Sequence, residues 1–159
     1  MRFEELYERY FRKVYAFAFS LTHNADAAEE LTQETFFKAM RSQDRFKGQS
    51  SPTTWLCSIA HNLYVSDVRK HSRLTDDSAL EYQAADGDIE EDLQKKDTAM
   101  RIHRMLHQLP EPYREVFSLR VFGELSYAEI GTIFSKSESW ARVNYFRAKQ
   151  RLQTSLQEE

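Results

Sequence analysis

Apolar residues recur at steps of three and four along the first third of the chain, which is the spacing of one face of an α-helix. Residues 3–21 keep this spacing over five turns. A second apolar stripe covers residues 28–39 and follows Asn24, a good helix cap. Ser51 and Pro52 then supply the cap and the first position of a third helix. The pattern predicts three N-terminal helices.

The last third of the chain carries the signals of a helix-turn-helix. Two helices are predicted over residues 91–108 and from Pro112 to about residue 122. Ser126 and Glu129 form a capping box that begins a short helix. Ser137 can cap a final helix that ends near residue 156. A short helix, a tight turn and a longer helix make up the helix-turn-helix layout.

Charge separates these two helical blocks. The 159 residues carry 22 Lys and Arg against 25 Asp and Glu, for a net charge of −3. Residues 1–73 and 100–159 each sum to +2, whereas residues 74–99 sum to −7. High like charge with few apolar residues disfavours a packed core. We therefore expect an all-α protein of two small helical domains, residues 1–73 and 92–159, joined by an acidic flexible linker over 74–91. The alternative is a solvated acidic loop within one domain.

Composition excludes several classes of protein. Four Gly and three Pro are too few for the turns of a hairpin-rich all-β fold. No apolar run approaches the ~18–20 residues of a membrane helix. The N-terminal sequence is acidic where a signal peptide needs a basic and then apolar start. Cys57, the single cysteine, excludes an internal disulfide and a multi-cysteine zinc site.

The outward face of the final predicted helix is basic. Residues 142–151 contain four cations and no acid: Arg142, Arg147, Lys149 and Arg151. Arginine can bond a guanine edge at two points, and serine can bond a phosphate or a base. The face therefore favours DNA binding. The alternative is a solvated basic face near a helix C-terminus, where cations are favoured in any case.

Several segments, in order along nearly the whole chain, resemble the extracytoplasmic-function (ECF) sigma factors, small two-domain members of the sigma-70 class of bacterial transcription initiation factors. Residues 26–40 look like region 2.2, which grips the clamp of RNA polymerase. Residues 45–63 look like regions 2.3 and 2.4, which melt and read the −10 promoter element. Residues 109–117, 125–130 and 146–149 look like region 4, which reads the −35 element.

The resemblance implies three sets of contact residues. The set for core polymerase is Glu30, Leu31, Gln33, Glu34 and Phe37, with a plain core role as the alternative for Leu31. The set for the −10 element is Phe46, Lys47, Trp55, Asn62, Asp67, Arg69, Lys70 and Arg73. The set for the −35 element is Ser137, Ser139, Trp140, Arg142, Val143, Phe146, Arg147 and Lys149.

Several positions depart from the family pattern: besides His61 and Ser135, they are Pro52, Thr53, Ala141, Val143 and Asn144. His61 stands where arginine is usual, and Ser135 replaces the usual glycine of the helix-turn-helix turn. Serine in a left-handed turn carries a steric cost that glycine does not, so the turn is expected to differ in shape.

The resemblance also implies the partners. Such a protein is a cytoplasmic, non-enzymatic factor that lends promoter recognition and DNA melting to core RNA polymerase. Many family members are held inactive by an anti-sigma factor, often a membrane-bound one, and such a partner is implied here. No cofactor, metal or small-molecule substrate is expected. In the family the linker passes through the polymerase channel that later holds RNA; a solvated tether is the alternative.

Two other interpretations stay open at the level of sequence. A self-standing helix-turn-helix regulator would explain residues 109–156 but would leave the N-terminal helices without a role. A metal enzyme could use Cys57 with His61, or His103 with His107, because each pair is spaced i, i+4. A thiol sensor at Cys57 finds no support in neighbouring cations.

Overall fold

A computed structural model describes residues 2–43, 46, 48, 50–74 and 93–158 of the chain, without the side chains at 68–74 and 93–98. Within these residues the chain is all-α, as predicted, and has no β-strand. No helix of this part of the chain is long and apolar enough to cross a lipid bilayer. Apart from its first residue, the predicted linker over 74–91 lies outside the described residues. The helices are α1 (Phe3–Thr22), α2 (Ala25–Arg41), α3 (Pro52–Leu74), α4 (Leu93–Gln108), α5 (Tyr113–Val121), α6 (Tyr127–Phe134) and α7 (Glu138–Glu158).

Helices α1, α2 and α3 pack into an N-terminal three-helix unit, as the periodicity predicts. The Asn24 side chain accepts a hydrogen bond from the Ala27 amide at 2.9 Å and so caps α2. The Ser51 hydroxyl accepts from the Thr54 amide at 3.2 Å at the start of α3. Buried residues from all three helices fill the space between them: Leu6, Val14, Phe36, Ala39 and Leu56.

A ladder of aromatic rings runs along α1 at four-residue spacing. Residues four apart lie close to one face of a helix, and consecutive ring centroids here are 5.0–6.3 Å apart. Phe36 of α2 packs against the first three rings. The ladder ends at the C-terminus of α1 and consists of Phe3, Tyr7, Phe11, Tyr15, Phe19 and His23.

The helix-turn-helix forms from α6 and α7. The Ser126 hydroxyl accepts from the Glu129 amide at 3.2 Å, and Glu129 accepts from the Ser126 amide at 2.9 Å, which is the predicted capping box. Ser137 accepts from the Trp140 amide at 3.0 Å and caps α7, also as predicted. Ser135 adopts the left-handed conformation, with φ 57°. Gly131 permits the close turn, because a Cβ there would lie 2.7 Å from the Ser137 carbonyl oxygen.

The N-terminal unit and the C-terminal helices share one apolar core. α1 packs against α4 and α5, and α3 packs against α6. The hydrophobic pattern did not predict this closed arrangement, because it shows only which face of a helix is apolar. The buried residues of the shared core are Phe17, Leu21, Cys57 and Ala60 from α1 and α3, and Val116, Leu119, Leu125, Ile130 and Ala141 from α5 to α7.

Candidate nucleic-acid and partner interfaces

The exposed side of α7 carries most of the residues predicted to contact DNA near the −35 element. Phe146 keeps 59% of its surface exposed and Val143 keeps 45%, which is high for apolar side chains. Exposed cations of the same helix lie among them. The full exposed set is Ser137, Ser139, Arg142, Val143, Phe146, Arg147 and Lys149.

Two residues near the start of α7 are held by contacts within the protein. Trp140 is half-buried, with its ring 5.0 Å from that of Phe134. Arg142 forms an ion pair with Glu138 at 2.9 Å and lies over the ring of Tyr127. Of the eight predicted −35 contacts, Trp140 is therefore the least available, because its indole packs against the shared core.

An aromatic pair lies at the start of α3, among the residues predicted to contact the −10 element. The rings of Phe46 and Trp55 stack with centroids 4.7 Å apart and planes 23° apart. Asn62 and Asp67 are exposed further along α3. Lys47 and the side chains of Arg69, Lys70 and Arg73 lie outside the described residues.

One face of α2 is exposed and mixes charge with an aromatic ring. Glu30, Gln33 and Glu34 are exposed, and Phe37 keeps 55% of its surface in solvent. The Arg41 guanidinium lies 5.7 Å from the centre of the Phe37 ring.

Leu31 does not share that face. Only 9% of its surface is exposed, and it packs with Ala18 and Ala28 between α1 and α2. This packing supports the alternative interpretation, in which the stripe 28, 31, 35 places Leu31 in the core, and its role as a polymerase contact stays a prediction.

Glu129 connects the helix-turn-helix to the start of α3, a contact that sequence reasoning missed. Its Oε2 accepts hydrogen bonds from the hydroxyls of Ser51, at 3.1 Å, and Thr54. Burial tends to raise the pKa of Glu129, but the hydrogen bonds from Thr54 and Ser126 outweigh burial and lower it.

A second contact between the two units joins His61 of α3 to Glu115 of α5. The imidazole Nδ1 lies in hydrogen-bonding contact with the Glu115 carboxylate, which is almost fully buried. Burial raises the pKa of Glu115, although the hydrogen bond from His61 acts in the opposite direction. The His61 ring also packs edge-on against Phe134.

One of the two candidate metal pairs combines Cys57 with His61. Cys57 is fully buried, and burial raises the pKa of its thiol to about 12, so the metal-binding and reactive thiolate form is strongly disfavoured. Its i, i+4 neighbour His61 contacts Glu115 instead. Among the described residues no group of three or more His, Cys, Asp or Glu is arranged to hold a metal ion.

Comparison with known proteins identifies the family. Residues 6–74 match the family model of sigma-70 region 2, and residues 99–152 match that of sigma-70 region 4. The ECF RNA polymerase sigma factor SigM of Bacillus subtilis is 33% identical over 165 residues, covering 96% of this chain and 93% of SigM. The chain belongs to the ECF sigma factors. The resemblance inferred from the motifs is thereby confirmed. This sigma factor is also 31% identical over 157 residues to RNA polymerase sigma factor YlaC of the same organism, covering 96% of this chain and 91% of YlaC.

Two solved structures share the fold. The sigma factor RpoE from Bartonella quintana, solved in complex with the anti-sigma factor NepR, superposes with a TM-score of 0.77 at 28% identity. The superposition covers 98% of this chain and 96% of that one, so it includes both units of this ECF sigma factor. CnrH, solved in complex with the cytosolic domain of CnrY, shares the fold with a TM-score of 0.69 at 19% identity.

Proposed function

We propose that this ECF sigma factor binds core RNA polymerase and directs it to a specific set of promoters, where it assists DNA melting. The observation that carries this proposal is the presence of both sigma-70 regions in one chain, aligned along 93% of a curated ECF sigma factor. The factor itself performs no chemical step and acts in the cytoplasm, where polymerase and promoters are found. Residues 1–73 form region 2, residues 92–159 form region 4, and residues 74–91 link them.

The exposed side of α7 is proposed to read the −35 element. In a helix-turn-helix the second helix lies in the major groove, where side chains near its start reach base edges. Ser139, Arg142 and Val143 lie in that first part of α7 and are exposed. Arg147 and Lys149, further along, are suited to phosphate contacts. Phe146, with 59% of its surface exposed, can make an apolar contact with a thymine methyl group.

The start of α3 is proposed to hold the melted −10 element. An unstacked base is stabilised by an aromatic side chain on which it can stack. The stacked rings of Phe46 and Trp55 offer such a surface. Asn62 and Asp67 follow on α3 and offer hydrogen-bonding groups to bases. Arg69, Lys70 and Arg73 extend the same helix in sequence and would meet the phosphate backbone.

The exposed face of α2 is proposed to bind the polymerase. Aromatic residues are enriched at the centre of protein interfaces, and a polar rim surrounds them. Phe37 is the apolar anchor of this face, with Glu30, Gln33 and Glu34 around it. Leu31 is left out because it lies in the core.

The closed arrangement is proposed to be the form that an anti-sigma factor holds. Its similarity to RpoE in complex with NepR, over nearly the full length of both chains, supports this. In the closed form Glu129 contacts the start of α3, so an anionic side chain lies beside the proposed −10 surface. Binding to polymerase would then have to separate the two regions before both promoter elements are read.

Run-off transcription with purified core polymerase on a library of genomic promoter fragments tests the proposed function. We expect initiation only when the factor is present, from fragments that share −10 and −35 elements. Phe146→Ala should weaken initiation from these fragments, whereas Val121→Ala should leave it unchanged, because Val121 is exposed but lies outside all three proposed surfaces. Failure to direct any initiation by a factor with intact helix content would overturn the proposal. Tight, sequence-specific duplex binding without polymerase would support a self-standing regulator instead.

A further inference from the structure

Three histidines from the two regions meet where α1 ends. His23 follows the last residue of α1 in the left-handed conformation and has only 9% of its surface exposed. Its ring centroid lies 5.9 Å from that of His103 and 5.7 Å from that of His107. His103 and His107 are one turn apart on α4, which belongs to the C-terminal unit. We call these three residues the imidazole cluster.

Aromatic rings enclose the imidazole cluster on two sides. Phe19 of α1 packs edge-on against His103 at 4.9 Å, and Phe122 at the end of α5 stacks on His103 at 5.4 Å. The cluster therefore lies in the contact between region 2 and region 4, and it exists only while α1 and α4 are packed together. Separation of the regions would expose His23 to water and would remove Phe19 and His23 from the two imidazoles of α4.

We propose that the imidazole cluster makes the closed arrangement of this sigma factor pH-dependent, so that mild acidification favours separation of region 2 from region 4. This pH dependence goes beyond promoter recognition, because access to the promoter-binding surfaces would depend on the proton concentration. Three imidazoles, two of them within 5.9 Å of the central His23 ring, cannot all become cationic in a partly desolvated site without strong mutual repulsion.

Fixed positive charges add to this repulsion. Arg104 of α4 acts on His23, and Arg114 of α5 acts on His107. Arg114 is held in place because it donates hydrogen bonds to the His107 carbonyl oxygen at 2.6 Å and to the Tyr64 hydroxyl at 3.2 Å. Its guanidinium cannot deprotonate to relieve the repulsion.

The histidine pKa values shift in the direction that the proposal requires. Burial, with the neighbouring imidazoles and Arg104, lowers the pKa of His23 from 6.5 to about 4. Burial also lowers the pKa values of His103 and His107. Opening removes the two neighbouring imidazoles and Arg104 from His23, so the pKa of His23 returns towards about 6.5 and the open form binds more protons than the closed form. The closed form is thus favoured above pH 6.5 and loses that advantage as the pH falls from 6.5 towards 4.

Two carboxyl groups in the same contact titrate in the opposite direction. Burial and the charge of Glu115 raise the pKa of Glu111 to about 7, and burial raises the pKa of Glu115. Glu111 lies 3.7 Å from Arg114, and Glu115 contacts His61 of α3. Both carboxyls take up protons more readily in the closed form, so on acidification they favour closing while the imidazole cluster favours opening. The contribution of the imidazole cluster to the pH dependence of opening must therefore be measured against a variant that lacks the cluster.

Small-angle X-ray scattering of the full chain from pH 7.5 to 5, with circular dichroism at each pH, provides the test. A closed chain of 159 residues should have a radius of gyration of about 15 Å. We expect the radius of the wild type to increase on acidification while the helix content is retained. The opening constant is the ratio of open to closed molecules. Each imidazole that is neutral in the closed form and protonated in the open form raises this constant by up to about tenfold for each pH unit of acidification.

The comparison variant combines His23→Asn, His103→Phe and His107→Gln. Asparagine tolerates the left-handed conformation of residue 23, and phenylalanine keeps the ring contacts of residue 103. As the pH falls, the opening constant of the wild type should rise more steeply than that of the variant, by a factor of about ten or more per pH unit. Equal pH profiles of wild type and variant would overturn the proposal. If the variant does not fold, histidine NMR of the wild type decides: titration of His23 well below 6.5 supports the proposal, and titration near 6.5 at constant radius overturns it.

Discussion

Glu129 accepts a hydrogen bond from Ser51, 78 residues earlier in the chain, with 3.1 Å between Oε2 and Oγ. The other carboxylate oxygen of Glu129 accepts from the Ser126 amide and completes the capping box of α6. Thr54, in the first turn of α3, bonds to the same Oε2. One carboxylate therefore serves the start of the helix-turn-helix and the start of the proposed −10 helix.

Glu129→Ala should destabilise the protein more than the loss of a cap alone. We expect a loss of about 1–3 kcal/mol in the free energy of unfolding, because a capping interaction and the bonds to Ser51 and Thr54 disappear together. Urea denaturation followed by circular dichroism measures this. Thr54→Val, which removes one of those partners and leaves the Ser51 hydroxyl on the Thr54 amide, is the matched control and should cost less.

The effect of Glu129→Ala should also depend on pH. The pKa of Glu129 is lowered in the folded protein, so its carboxylate stabilises the fold above the unfolded pKa of about 4.3. That stabilisation is lost as the pH falls through the folded pKa. An equal difference between wild type and variant at pH 7 and at pH 3 would contradict this account.

His61→Leu should leave the buried Glu115 carboxylate without its contact partner. We expect a loss of roughly 3–5 kcal/mol at neutral pH, the range seen when one member of a buried pair is removed. Because burial raises the pKa of Glu115, its neutral form is favoured in the folded state at low pH, and the loss should shrink on acidification. Chemical denaturation at pH 7.5 and 5 measures both effects. The double variant His61→Leu/Glu115→Leu should recover most of the stability; no recovery would show that the pair is not the cause.

The sequence predicted local features well and the contacts between the two units not at all. Asn24, Ser126 and Ser137 were recognisable as caps because a cap depends on residues at most three positions away. The contact of His61 with Glu115 joins residues 54 positions apart, and nothing in helical periodicity encodes such a pairing. The unusual His61 was a signal that this position differed, but it did not indicate the partner.

In the candidate site, too, the features that depend on one helix could be predicted from the sequence, whereas those that depend on packing could not. The exposed cations of α7 were predictable from spacing, because an outward helix face is defined by its own sequence. Leu31 belongs both to the family motif for the polymerase contact and to the apolar stripe of α2, and only packing shows that it lies between α1 and α2. Trp140 was assigned to DNA by position, although its ring rests against Phe134.

Phe37→Ala should weaken polymerase binding without affecting stability. Phe37 is 55% exposed, so truncation creates no cavity and the free energy of unfolding should change by less than about 0.5 kcal/mol. Loss of an aromatic anchor at an interface typically costs about 2 kcal/mol, or roughly thirtyfold in Kd. Affinity capture with purified core polymerase measures the binding. Leu31→Ala is the matched contrast, since truncation of a buried leucine in the core should cost about 2–5 kcal/mol of stability.

Arg147→Ala and Lys149→Ala should weaken promoter binding by the holoenzyme in a salt-dependent way. Each removes one exposed cation from α7, and removing one cation that pairs with a phosphate should reduce the slope of log K against log salt by about 1. Phe146→Ala should lower the affinity with no change in slope, because it removes no charge. Filter binding at several salt concentrations separates the two classes. An unchanged slope for both cation variants would place the DNA elsewhere on the protein.

Ser135→Gly should stabilise the helix-turn-helix. Ser135 has φ 57°, a conformation that costs a residue with a Cβ roughly 1 kcal/mol relative to glycine. We expect a net gain of at most about 0.6 kcal/mol, because the larger chain entropy of unfolded glycine offsets about 0.4–1 kcal/mol of this relief. Ser137→Ala, two residues later, should have the opposite sign because it removes the cap of α7. Thermal unfolding of the three proteins checks the order.

The shared core has a consequence for exchanging parts between sigma factors. Small residues of α3, Cys57 and Ala60, lie in the same buried cluster as Ile130 and Ala141 of the helix-turn-helix. A hybrid that joins this region 2 to the region 4 of a relative must match those volumes as well as supply partners for Ser51 and His61. Such a hybrid could retain every residue that touches DNA or polymerase and still fail to close. The closed arrangement of the factor is thus a property of the pair of regions, whereas each proposed promoter-binding surface belongs to one region alone.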